Sequence, residues 1–500
     1  MQASDQERGV AERIVQSYKV LVGLEVHVQL ATRSKMFTGA RNGFGGEPNT
    51  QVDEQVLGLP GVLPVMNKRA VEFAMMAGLA LGCKIARHTK WDRKSYYYPD
   101  LPKNYQISQY DMPLCHEGVF DLIGRDGTTQ AIRIRRAHLE EDAGKLLHEA
   151  PGGYSIDYSI VDLNRAGTPL LEIVTEPDLH SAHDVSLFAQ ELQKLVQFLG
   201  VSEGQMQMGH MRFEPNINVH ITDVQGNIFK TAITEIKNLN SFSVLERAVA
   251  FEVQRQIDEW VETGTRGVKS TRGWDEPTES TFLQRTKEEA HDYRYFPDPD
   301  LVPVEVDDAW LAEVKAQVGE LPAARRKRYI DALGLSPADA AILAGDRATG
   351  DFFEQALAND GDAKRLGNLL LSHGRRLANV KAVPLNGLNI SPKFFAGVSN
   401  MVGQGKLNSV TAGQVLEKAA DTGDASDPET IAQQMGLIQV SDTSAIDAAI
   451  DAVIAANPKP LQDYRAGKQS AMGAVVGMVM KNARGLNPKI VQERLKARLL

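Results

Sequence analysis

Residues 19–30 alternate without a break: Val20, Val22, Leu24, Val26, Val28 and Leu30 share one side, and Gly23, Glu25, His27 and Gln29 share the other. A period of two predicts a strand with one buried face. The apolar face belongs against a core, so the polar face must open onto solvent or a cleft. Shorter strand-like runs follow at 131–135, 170–175, 216–221 and 232–238, and a helical period marks 68–81, 182–199 and 243–263. This mixture predicts an α+β fold with a largely antiparallel sheet.

Three prolines within 296–303 close that region, and beyond them the pattern is nearly all helical. Residues 311–335 read as helix with a break or start at Pro322, 351–377 as another helical stretch, and 444–500 as an Ala-rich helical end. Breaks are expected near 383–392 and 422–428. The polar residues 1–18 are expected to be flexible or weakly helical. The resulting division is a flexible 1–18, an α+β domain over 19–300, a helical domain over 301–400 and a helical tail over 401–500.

Composition agrees with a folded chain of several domains. The 500 residues are 43% hydrophobic and 24% charged, which excludes the disordered class. At about 150 residues per domain the length corresponds to about three domains. No apolar run approaches the roughly 20 residues that a bilayer requires, and the N-terminus lacks a basic region followed by an apolar stretch. A soluble, cytoplasmic protein is expected, with no membrane partner. Two cysteines, Cys83 and Cys115, exclude a disulfide scaffold and a four-Cys zinc site. The net charge of −9 hides a polarity, because residues 457–500 carry nine basic side chains against two acids. A basic end on an acidic chain suggests a polyanion partner, the competing reading being a solvated helical face.

No G-x-x-x-x-G-K-[ST], G-x-G-x-x-G, H-E-x-x-H or G-x-S-x-G occurs, so any nucleotide chemistry proceeds without a P-loop. Four polar segments remain. Glu25 and His27 share a strand face, about 6.6 Å apart at about 3.3 Å per residue, and can grip a cation or phosphate together. Residues 94–109 combine three consecutive tyrosines (96–98) with Lys94 and Lys103, suited to an aromatic ligand near phosphates. Residues 138–145 (HLEEDAGK) place Glu140, Glu141 and Asp142 side by side: a solvated turn, or, ahead of the 162–165 segment (DLNR) and Glu172, acids that converge on Mg²⁺ as hard oxygen ligands. Residues 233–242 put Glu235 and Lys237 on one strand face. Together these describe a cleft suited to phosphoryl transfer, where catalysis is positioning and charge neutralisation.

Long stretches of the chain resemble one family. They are GLEVHVQL (23–30), LGLPGVLPVMN (57–67), KSYYYPDLPKNYQISQY (94–110), HLEEDAGK, DLNRAGTPLLEIVTEPD (162–178), EIKNLNSF (235–242), TRGWD (271–275), KEEAHDYRYFPDPDL (287–301) and NPKPLQDYRAGKQSAMGAVVGMVMK (457–481). In this order they resemble the B subunits of tRNA-dependent amidotransferases, the GatB family. The resemblance implies a cradle-shaped α+β domain with a kinase-like site, a helical domain, and a small tRNA-binding helical tail similar to YqeY proteins. It implies a heterotrimer whose other members are an amidase (GatA) and a small wrapping protein (GatC). Ammonia from the amidase would reach this chain, where ATP and Mg²⁺ activate the side-chain carboxylate of Glu-tRNA(Gln) or Asp-tRNA(Asn) for amidation.

The family's catalytic and metal-binding groups map onto Glu25, His27 and Glu140, with Glu172 and Glu235 completing the metal set. Lys94, Lys103, Arg165 and Lys237 are phosphate-contact candidates chosen by charge and proximity to the motifs. Many family members carry a cysteine zinc knuckle after SKMF and before LGLPG. Residues 37–40 and 52–56 hold no cysteine here, so no structural zinc is expected. The segment 209–218 departs from the family pattern as well, with Glu214 where Asp is common. The rival reading is a tRNA-binding scaffold protein whose acidic cleft is structural. A metal-dependent hydrolase is disfavoured, because no ligand pair has helical or knuckle spacing.

Overall fold

The structure, a computed structural model, describes residues 13–499 apart from 125–126, 151, 287–292, 360, 424–426, 440–442, 458–469, 483–485 and 487. The chain forms two compact units, divided between Leu321 and Pro322. The first is built on a ten-stranded sheet whose principal strands are β1 (Val15–Gln29), β2 (Cys115–Ile123), β3 (Thr129–Glu141), β4 (Pro169–Thr175), β5 (Met211–Asp223), β6 (Thr234–Lys237), β7 (Ser270–Asp275) and β8 (Ser280–Thr286). Their spatial order is β8-β7-β6-β5-β1-β4-β3-β2, with the short strands Lys84–Ile85 beside β2 and Ile228–Lys230 beside β5. Neighbours pair antiparallel except β6 and β7, which run parallel.

The alternation in β1 does what its period requires. Val22, Leu24, Val26 and Val28 are at most 1% exposed, and each such burial stabilises by roughly 1.5–3 kcal/mol. They join one core with the apolar faces of α1 (Lys68–Ala80), α2 (Ala182–Phe198) and α3 (Phe242–Thr263). Each helix begins at a side-chain cap. Asn67 accepts from the Arg69 and Ala70 N–H groups, Ser181 from that of Asp184, and Ser241 from that of Val244. Gly264, at φ +69°, ends α3.

Three expected boundaries move. Residues 15–18 belong to β1, where Val15 pairs with Asp223, and residues 1–12 lie outside the described set. The first unit continues past 300, because the helix α4 (Asp308–Val318) buries Leu311, Val314 and Val318 in the sheet's core. Pro322 then opens the helix α5 (Pro322–Asp331), where a missing N–H is harmless. The helical half does not divide at 400. One apolar core joins Tyr329 through Ala432, and a second gathers Ile446, Ile450, Val453, Val475, Val479, Val491 and Leu495. No described helix is long and apolar enough to cross a membrane.

Candidate active site

Strand register assembles the site. On the polar face of β1, His27 stands opposite Glu172 of β4 and Arg212 of β5, and Glu25 stands opposite Glu214 of β5. One strand further out, Glu172 faces His138 of β3, and Asn216 faces Glu235 of β6. All of these side chains except Asn216 line a cleft of about 750 Å³. Its wall carries Lys94, Tyr96, Tyr97, Tyr98, Tyr110, Tyr293 and Tyr295. The Tyr110 and Tyr295 rings stack with centroids 4.1 Å apart, and the Lys94 ammonium lies 4.7 Å from the centre of the Tyr293 ring.

The acids form two groups rather than one. In the first, His27 Nε2 lies 3.4 Å from Glu140 Oε1 and 3.5 Å from Glu172 Oε2. Glu172 also lies 3.7 Å from His138 Nε2 and 3.5 Å from the Arg136 guanidinium. Burial opposes a charge on His27, but the Glu140 and Glu172 carboxylates outweigh it and hold the imidazole pKa well above its ordinary value. Burial likewise opposes ionisation of Glu172, yet His138, His27 and Arg136 keep its carboxyl below the usual range. For His138 burial prevails, pushing its pKa down.

The second group is Glu25, Glu214 and Glu235, each offering an oxygen within 4.8 Å of the others. Lys237 Nζ lies 2.5 Å from Glu214 Oε2 and 3.1 Å from Glu235 Oε1. Thr271 Oγ1 donates to Glu235 at 3.0 Å and Asn216 Nδ2 to Glu25 at 3.4 Å. Burial, then the neighbouring Glu172, Glu235 and Glu214, push the Glu25 pKa up. Glu25 therefore sits apart from His27 and Glu140, because residues two apart on a strand are about 6.6 Å distant. Cross-strand neighbours lie about 5 Å apart, so each side chain meets its lateral partners first.

Two phosphate-contact candidates lie outside the cleft lining. Lys103 is paired with Glu141, and their side chains are 6% and 1% exposed. Arg165 is paired with Asp142 and donates to the Gly209 carbonyl at 2.6 Å. Both are held by the two acids that follow Glu140, which do not join the metal set: Glu141 points to the opposite face, and Asp142 has left the strand to meet Arg165 and Arg212. Gly144 closes this turn where a Cβ would lie 2.8 Å from the Asp162 carbonyl oxygen, so only glycine fits. Lys94 and Lys237 do line the cleft.

Glu214, Arg136, His138 and Arg212 were not among the sequence-derived site residues. Parity could have found Glu214, because Arg212, Glu214 and Asn216 alternate with buried Met211, Phe213 and Ile217. His291 and Asp292 of the KEEAHDYRYFPDPDL motif lie outside the described residues. The cysteine-free loops are fastened by hydrogen bonds: Thr38 Oγ1 donates to Asp53, whose Oδ1 accepts the Val56 N–H at 3.0 Å, and the Val65 N–H donates to the Phe37 carbonyl at 2.8 Å.

Comparison with known proteins bears on this arrangement. Residues 20–312 match the family model described as GatB/GatE catalytic domain, and residues 351–499 match the one described as GatB domain. Curated relatives, each the B subunit of an aspartyl/glutamyl-tRNA(Asn/Gln) amidotransferase, align over nearly the whole chain. The protein of Caldicellulosiruptor bescii is 45% identical across 96% of this chain and 99% of its own length. That of Carboxydothermus hydrogenoformans is 43% identical across 97% and 99%, and that of Moorella thermoacetica 45% across 96% and 100%.

Proposed function

This chain belongs to the GatB family of tRNA-dependent amidotransferase B subunits, and from that premise we propose that its cleft activates the side-chain carboxylate of a misacylated tRNA with ATP and then amidates it. The observation that carries the reading is the pair of acidic groups on one sheet face, bordered by Arg136, Arg212, Lys94 and Lys237 and walled by tyrosines. A carboxylate resists attack by ammonia because its leaving group would be oxide. A carboxylate oxygen of Glu-tRNA(Gln) or Asp-tRNA(Asn) attacks the γ-phosphorus of ATP, and the bond to ADP breaks. Ammonia then adds to the acyl carbon, phosphate departs with the C–O electron pair, and a proton is lost to leave the amide.

The donor sets fit divalent cations. Glu25, Glu214 and Glu235 supply hard oxygens compensated by one ammonium, and His27, Glu140 and Glu172 supply two oxygens and a nitrogen. These residues would hold Mg²⁺, which when bound neutralises phosphate charge and orients the transferring group. The chain's own cations share that task. Arg136 and Arg212 sit at the rim of the first group and bind phosphate oxygens, Arg by a two-pronged contact. Lys94, backed by Tyr293, offers a point charge beside rings on which the terminal base of tRNA can stack. The stacked Tyr110 and Tyr295 add a further aromatic surface to the same wall.

On this reading the chain works in the cytoplasm within a heterotrimer, taking ammonia from the amidase, GatA, in the presence of the small GatC protein. The rival reading makes the cleft structural and the chain a tRNA scaffold. Glu25→Gln separates the two: it is expected to abolish ATP-dependent phosphorylation of Glu-tRNA while leaving tRNA binding and partner glutaminase intact. Normal ATP turnover in that variant establishes the scaffold.

A further inference from the structure

Lys237 occupies the position that a cation bound by Glu25, Glu214 and Glu235 needs. Its ammonium touches two of the three carboxylates, and an ammonium carries three donors and no lone pair, so it cannot share the group as a ligand. Moving away is open to it. Lys237 is the last residue of β6, the following Asn238 turns the chain at φ +67°, and the side chain is 33% exposed on a flexible four-carbon stem.

Two of the three carboxylates do not depend on Lys237 for their positions. Thr271 holds the second oxygen of Glu235, and Asn216 holds Glu25. Those two keep their places when the ammonium leaves, and Glu214 is the carboxylate that Lys237 itself holds. We propose that Lys237 is the resident counter-ion of the Glu25–Glu214–Glu235 group, that an entering divalent cation displaces it, and that the displaced ammonium then contacts the anionic ligand arriving with that cation. This rests on the reading of the cleft as a phosphoryl-transfer site. It makes empty-state stability and loaded-state phosphate binding two uses of one side chain, and it makes Lys237 a positioning residue that couples cation and nucleotide binding.

Mn²⁺ titration of the full chain, followed by electron paramagnetic resonance, tests it, reading the class of sites lost in Glu25→Gln. Lys237→Met removes a like charge from the path of the metal and is expected to tighten Mn²⁺ binding without nucleotide by about tenfold. The same variant is expected to lose the further tightening that ATP produces in the wild type. Mn²⁺ affinity in Lys237→Met that equals or falls below the wild-type value overturns the proposal. A second measurement needs no variant: Mn²⁺ is expected to raise the rate at which the wild-type Lys237 amine is acetylated, read by peptide mass spectrometry. An unchanged or slower rate also overturns it. If Mn²⁺ binds neither wild type nor variant, the metal-site reading falls and this inference with it.

Discussion

Lys103 was a phosphate-contact candidate by sequence, and its surroundings make the opposite prediction sharp. Its ammonium and the Glu141 carboxylate form a pair buried away from the cleft, 6% and 1% exposed. Lys103→Met removes one partner and leaves a buried carboxylate still held, among the described residues, by the Ile107 N–H, 2.8 Å from Oε1. Stranding one member of a buried pair costs about 3–5 kcal/mol, and the surviving hydrogen bond places this case near about 3 kcal/mol. At about 2 °C per kcal/mol for a unit of this size, the melting temperature is expected to fall by about 6 °C. Lys103→Met/Glu141→Gln removes the stranded charge while keeping an acceptor for Ile107, and should recover about 2 kcal/mol of that loss. Thermal and urea unfolding of the full chain read both numbers, and steady-state kinetics read KM for ATP. A Lys103→Met protein with wild-type stability and a raised KM for ATP would refute the reasoning and restore Lys103 to the phosphate site.

Two further outcomes follow from charges elsewhere. Lys35 is fully buried, with Nζ 2.6 Å from the Ala166 carbonyl oxygen, and burial lowers its pKa to about 8 against the opposing pull of Asp53, Glu141 and Asp162. Between pH 8 and 10 the unfolded chain holds that proton and the folded chain does not, so the stability of the wild type minus that of Lys35→Met should rise with pH over this window. Urea titrations at both ends check it, and a constant difference would count against the assignment. Truncation after Asp442, which lies outside the described residues, removes the whole apolar core built on Ile446 and Leu495. It should weaken tRNA binding and flatten its salt dependence by a slope of about 0.9 for each phosphate no longer neutralised, and unchanged affinity would retire the tail as a tRNA-binding element.

What could be read in the chain depended on range. The alternation of residues 19–30 is a local signal, and it identified both the strand and the face on which Glu25 and His27 stand. The helices at 68–80, 182–198 and 242–263 were legible for the same reason. Register is set by residues far apart in the chain, so nothing in the text announced that Glu25 would group with Glu214 while His27 met Glu140 and Glu172. Lys103 and Arg165 stand outside the cleft lining because proximity to a motif does not reveal which face a side chain takes, and they pair with Glu141 and Asp142 instead. Two cations of the basic tail are likewise answered by acids outside the segment. Arg494 pairs with Asp447, and Arg498 with Asp447 and Asp451, acids that lie just upstream of the 457–500 window.

The pairing of β1 with its two neighbours has a consequence for how such a chain can change over time. Inserting or deleting a single residue there would turn valines toward water and drive Glu25 and His27 into oil, ruining fold and chemistry in one event. Substitutions can be tried singly at each position, but length cannot, so this strand acts as a ruler against which every other liganding segment is measured.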